Sequence, residues 1–202
     1  SEQVAQYALA AAQSLGGRTL VLTTTLKALA TIAQSLRASL GLFSDLDVLV
    51  QGEAPKLALI ERFMAAAATK AQRGAILVAS ATFWEGVDLP GDMLQLVVID
   101  KLPFPPPDDP LVEARSRQLE SVGRGAFHDY MLPEAALALK QGAGRLIRSE
   151  TDKGVLMICD TRLLTMAYGA QLLAALPPMR LLAGHGEFNA ALDQLVEQRR
   201  TS

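Results

Sequence analysis

Three polar side chains long enough to hold a phosphate recur in the stretch QGAGRLIRSE, residues 141–150: Gln141, Arg145 and Arg148. If the helix-forming run PEAALALK before them continues through, each residue turns the chain by about 100°, which places Arg145 at about 40° and Arg148 at about −20° from Gln141. Ala143, Leu146 and Ile147 would then face the opposite side, toward a core. Two neighbouring guanidinium groups donate in fork geometry, which suits a phosphate presented across an interface. Gly142 and Gly144 stand in the same stretch, and inside a helix each costs about 1 kcal/mol relative to alanine. Gly144 lies beside the arginines with no side chain to hold a partner away. A solvated face with two arginines by chance would leave both glycines without a reason.

A second stretch, SATFWEGVDLPG over residues 80–91, follows an apolar run directly. Gly86 permits a tight backbone path, and Pro90-Gly91 is a type II turn signal. Asp88 could accept from a ribose hydroxyl or pair with an arginine; the other reading is a turn with Phe83 and Trp84 packed as core aromatics. Thr23, Thr24 and Thr25 end one apolar run and open a helix. Hydroxyls at a helix N-terminus suit phosphate oxygens, and they also serve simply as caps. Nothing in the chain has the form G-x-x-x-x-G-K-[ST], the loop that cradles nucleotide phosphates. No acidic cluster follows a strand in the way that holds Mg²⁺ for phosphoryl transfer. His128 and His185 stand far apart, and Cys159 is the only cysteine, so neither a metal centre nor a disulfide is expected. Half of a phosphate-handling site is legible.

These residues need a frame. Half of the 202 residues are hydrophobic and the formal net charge is −2, which suits a full core and does not signal nucleic acid by charge alone. Helical periodicity runs through residues 2–15, 26–40, 55–72, 133–148, 162–176 and 187–200. Short apolar runs rich in β-formers lie at 18–24, 47–52, 74–80, 94–100 and 153–160. Asp109-Pro110 starts a further helix after a proline-rich passage. Alternating strands and helices predict an α/β fold with a mostly parallel sheet, its ligands at the carboxyl ends of the strands. The loops after residues 24, 51, 80, 100 and 160 are therefore where function is expected. No apolar stretch reaches membrane-spanning length and the start SEQVAQ is no signal peptide, so a cytoplasmic protein with no membrane partner is expected. The first residue is not Met, which points to an excised piece.

Taken together the stretches resemble the second motor domain of a superfamily 2 DNA helicase of the DinG type, related to XPD. QGAGRLIR (141–148) matches that family's motif VI, Q-x-x-G-R-x-x-R; the 82–91 stretch matches motif V; VLTTT, near 20–25, stands where motif IV belongs. The proline-rich KLPFPPPDDP and the later CDTRLLTMAYGAQLLAALP are also similar, so the likeness covers nearly the whole chain, 1–202 being read as one domain. The resemblance implies a RecA-like three-layer fold with helical elaboration, closing on a first motor domain of the same protein. That domain would hold ATP and Mg²⁺ and, in many members, an iron–sulfur cluster, for which this chain lacks the cysteines. By the same resemblance Arg148 is the arginine finger and Arg145 a second γ-phosphate contact, while Gln141 positions the attacking water or links the nucleotide to the gap between the domains. Gly86, Asp88 and Gly144 lie at the nucleotide. Thr23, Thr24, Thr25 and Thr82 meet the backbone of single-stranded DNA, along which the motor moves 5′ to 3′ in repair or replication. The glycines of QGAGR would let the helix approach the facing domain. The competing readings are a docking module for a replication or repair partner, and a stand-alone nucleotide enzyme.

Overall fold

The run Thr19-Leu20-Val21-Leu22-Thr23 is buried throughout, and it forms the central strand of the sheet. The computed structural model describes residues 1–41, 44–68, 73–80, 83, 93–147 and 152–201. Its five strands are β1 (Thr19–Thr23), β2 (Leu46–Val50), β3 (Gly74–Ser80), β4 (Leu96–Ile99) and β5 (Val155–Ile158). They lie in the order β2-β3-β1-β4-β5, and every pairing is parallel. Because side chains alternate across the pleat, each strand feeds two cores. Leu20, Leu22, Leu77, Ala79, Val97 and Ile99 face α3 (Lys56–Ala68), α5 (Leu132–Ala143), α6 (Arg162–Thr165) and α7 (Gly169–Ala175). Val21, Ile76, Val78, Leu96 and Val98 face α1 (Glu2–Leu15), α2 (Leu26–Ser39) and α8 (His185–Thr201). The result is the expected three-layer α/β domain, with α4 (Pro110–Ser121) outside both cores.

Most helix ends follow their local chemistry. α1 stops at Gly16, whose φ of 65° and ψ of 45° are left-handed, so the glycine pair ends it as expected. Asp109 caps α4: its Oδ1 accepts from the Leu111 and Val112 N–H groups, with Pro110 in the first turn. Two predicted helices are corrected. The one over 162–176 is split into α6 and α7 by extended backbone at Met166 (φ −99°, ψ 146°). The break brings Gly169 close to the preceding turn, where an added Cβ would lie 1.9 Å from the Leu163 carbonyl oxygen. The helix through the motif VI stretch is entered by a π-helical turn over Phe127–Met131 and ends at Ala143, after which the chain turns through Gly144 and Leu146.

From β1 the chain moves outward through α2 to edge strand β2, returns through α3 to β3, then crosses to β4 on the other side of β1. Connections therefore leave the carboxyl ends of β1 and β4 in opposite directions. Such a switch point opens a crevice where ligands of parallel sheets bind.

Candidate functional site

At the switch point the three threonines have separate duties. Thr23 is 1% exposed, and its hydroxyl donates to the Thr25 and Ala79 carbonyls at 3.3 and 3.5 Å. It holds the loop from inside, with its side chain away from the surface on which Thr24 and Thr25 stand. Thr25 caps α2, its Oγ1 accepting from the Ala28 N–H at 3.1 Å, and stays exposed. Thr24 is exposed as well, while its N–H turns inward to Asp100 Oδ1 at 3.0 Å. Lys27 and Leu26 complete the exposed first turn.

Asp100 went unremarked in the sequence beyond marking a strand end. The registers Leu22↔Ile99 and Ile99↔Ile158 set Thr23, Asp100 and Cys159 side by side, one residue past the paired strands. Burial pushes the Asp100 carboxyl up from its ordinary value, against the Thr24 and Lys101 amides, which favour the charged form. Cys159 is half-buried, and burial together with the Asp100 charge pushes its thiol up to about 11, so it stays protonated and unreactive.

Asp160 closes the next strand end. Its Oδ2 accepts from the Leu102 N–H at 2.9 Å and from Arg162 Nη2 at 2.7 Å, tying β5 to the segment after β4. Arg162 also lies over the Phe104 ring, 5.7 Å from its centre. The Arg162 hydrogen bonds hold the Asp160 carboxyl down at about 2. A carboxyl lowered on folding stabilises above its unfolded pKa and loses that contribution as pH falls through the folded value. From about 3.9 to about 2, at 1.36 kcal/mol per unit, the upper bound is about 2.6 kcal/mol, which solvent screening of the half-exposed Arg162 reduces to about 2 kcal/mol. Asp160→Asn is expected to lower stability by about that amount at neutral pH. Urea unfolding at several pH values checks it: the wild-type advantage should disappear between about pH 4 and pH 2.

The motif VI stretch reaches the same strand ends from the other face. Gly142 is buried on the sheet, where an added Cβ would stand 3.5 Å from Leu22 Cδ1 and 3.6 Å from Ile99 Cδ1. It faces the sheet, so it cannot ease the approach of a facing domain, and the expectation for this glycine is corrected. Both distances are ordinary contact. Gly142→Ala is accordingly expected to stabilise the domain by about 0.5–1 kcal/mol through helix propensity, read as a rise in Tm. Gly144, half-exposed, has a right-handed φ of −65° and ψ of −11°; a Cβ there would crowd the Lys140 carbonyl at 3.1 Å. Since α5 ends at Ala143, the angle of a continuous helix does not carry through to Arg145. Gln141 is exposed on the last turn and Arg145 half-buried beyond it. Arg148, Thr82, Trp84, Gly86 and Asp88 lie outside the described residues. Phe83 is 7% exposed in the core, with Lys56 Nζ 5.4 Å from its ring centre.

A model of the helicase C-terminal domain family matches residues 8–179. The chain belongs to that family. The helicase domain is 47% identical over 162 residues to the ATP-dependent DNA helicase YoaA of Escherichia coli K12, covering 80% of this chain and 24% of that protein. It is 40% identical over 181 residues to the ATP-dependent helicase DinG of Mycobacterium tuberculosis H37Rv, covering 90% and 26%. It thus spans about a quarter of the length of these relatives. A solved structure of the XPD helicase superposes on it with a TM-score of 0.58 at 20% identity, over 90% of this chain and 32% of that one. The shared fold is the RecA-like one. Among the described residues, the helicase domain has no helix long and apolar enough to cross a membrane.

Proposed function

We propose that this chain is the second motor domain of an ATP-dependent 5′–3′ DNA helicase acting in repair or replication. It supplies arginines to ATP bound on a first motor domain and grips single-stranded DNA at its own strand ends. One observation carries the reading: the motif VI helix and the β1–α2 loop converge on one pair of strand ends. Gly142 rests on Leu22 and Ile99, the residues immediately before Thr23 and Asp100. A change at the arginines therefore has a short packed route to Thr24 and Thr25.

In this mechanism Arg148 and Arg145 stabilise charge on the γ-phosphate, and Gln141 orients the attacking water. Gly86, Asp88 and Gly144 line the nucleotide side, while Thr24, Thr25 and Thr82 hold DNA phosphates. Binding ATP draws the domains together and hydrolysis lets them part, so grip on the strand alternates. Phosphate contacts make the affinity salt-dependent and largely indifferent to base sequence. Among the described residues no group of three His, Cys, Asp or Glu could hold a metal ion. On this reading the first domain holds Mg²⁺ and most of the triphosphate. An iron–sulfur cluster in the whole protein would need its thiolates from outside this chain, whose one cysteine is half-buried.

Titration of labelled ATP tests the division of labour. The isolated chain is expected to show no saturable binding, and the full-length protein to bind ATP and hydrolyse it faster with single-stranded DNA. Saturable binding and turnover by the isolated chain would replace this reading with a stand-alone nucleotide enzyme.

A further inference from the structure

Asp100 is 3% exposed, yet its Oδ2 is buried without a hydrogen-bond partner. Burying a carboxylate with one oxygen unpaired weakens a fold, and the run VVI before it shows what an apolar strand would continue with. The fold therefore keeps Asp100 for what its other oxygen does. Oδ1 accepts the Thr24 N–H, 76 residues away in sequence, and so fixes the peptide that leads into the Thr25 cap. Just beyond stand the Leu26 and Lys27 N–H groups, which an α-helix leaves without an internal acceptor. With the exposed Lys27 side chain and the Thr24 and Thr25 hydroxyls they gather donors and a positive charge at the positive end of α2.

We propose that Asp100 is a positioning residue for single-stranded DNA: by holding the Thr24 peptide inward, it presents the first turn of α2 to a backbone phosphate. Asp100 itself does not touch the DNA. The inference rests on the reading that this turn contacts DNA, and it adds the residue that sets the turn's geometry. The row Thr23, Asp100, Cys159 contributes one group of each kind: a hydroxyl that donates inward, a carboxylate that accepts from the loop, and a thiol that remains neutral.

The experiment uses the full-length protein and measures ATP turnover against the concentration of an oligothymidylate. Asp100→Ala is expected to raise the DNA concentration for half-maximal stimulation by about tenfold or more, the scale of one lost charge-assisted hydrogen bond. kcat at saturating DNA and KM for ATP should stay within about twofold, the split that marks lost binding and not lost chemistry. Asp100→Asn retains an acceptor for the Thr24 N–H and should return the DNA constant to within about threefold of wild type. An unchanged DNA constant in Asp100→Ala overturns the proposal. So does an equal fall in kcat and DNA affinity with a lowered Tm, or an asparagine variant as impaired as the alanine one. Thr24→Val and Lys27→Ala, run alongside, separate the two layers. If they weaken DNA binding and Asp100→Ala does not, positioning is wrong and the DNA reading stands. If none of the three does, the DNA reading itself falls.

Discussion

Arg148→Ala in the full-length protein is expected to lower single-strand-stimulated ATP turnover by about 10³- to 10⁵-fold, the range an arginine finger supplies to phosphoryl transfer. At 1.36 kcal/mol per decade this is about 4–7 kcal/mol of barrier. ATP binding should be retained, because the first motor domain would hold most of the triphosphate. Arg148→Lys should recover little, since an ammonium ion cannot reproduce the planar fork. Arg145→Ala should also reduce turnover, with a loss of stability beside it, because Arg145 is half-buried and engaged within the chain. Steady-state turnover with a separate nucleotide-binding measurement decides the matter. Normal hydrolysis by the Arg148 variant would leave the motif without a catalytic role and favour a docking module.

A large loss of stability from a single methyl group is expected at Gly169. A Cβ there meets the Leu163 carbonyl oxygen at 1.9 Å and its carbon at 2.7 Å, and both are backbone atoms with no rotamer to escape into. Gly169→Ala is expected to cost about 3 kcal/mol, the upper part of the range for overpacking. For a domain of this size that lowers Tm by roughly 6–12 °C. Leu163 and Leu172 both belong to the core beneath the corner, so the displacement cannot be confined to the surface. Gly125→Ala serves as the control, having nothing within 4 Å of its added Cβ. Thermal melts of the two variants should differ by nearly the whole effect.

The same glycine marks where sequence reading reached its limit. Local pattern was enough for the strands, because buried parallel strands are short apolar runs, and for α1 and α4, whose stops and caps are written in Gly16 and Asp109-Pro110. Residues 162–176 keep helical periodicity throughout, and the break at Met166, which brings Gly169 onto the Leu163 carbonyl six residues back, leaves no mark in the hydrophobic pattern. The end of α5 at Ala143 was hidden for a related reason. Gly144 keeps helical dihedrals, so the turn after it has no left-handed residue to announce it. The motif residues were recognisable by spacing, but their burial was not: Thr23 and Thr24 look alike in sequence, and opposite faces of β1 and its loop separate them. Asp100 had one signal, an acidic residue ending an otherwise apolar run. Its partner Thr24 could be named only once β4 was known to lie beside β1.

The order of strands also has a consequence for how the chain is made. The central strand, β1, precedes the other four described strands in the chain, and it is buried along its whole length. Its neighbours arrive late: Thr23 meets Ala79 after 56 residues and Thr24 meets Asp100 after 76. At translation rates of about 5–20 residues per second, the strand TLVLT waits roughly 3 to 11 s with both edges unpaired, and roughly 4 to 15 s before its second edge is covered. A short β-branched apolar segment in that condition can pair with another chain. The interval between β1 and β4 on the ribosome is thus a window for aggregation that the finished sheet, with β1 covered on both edges, closes.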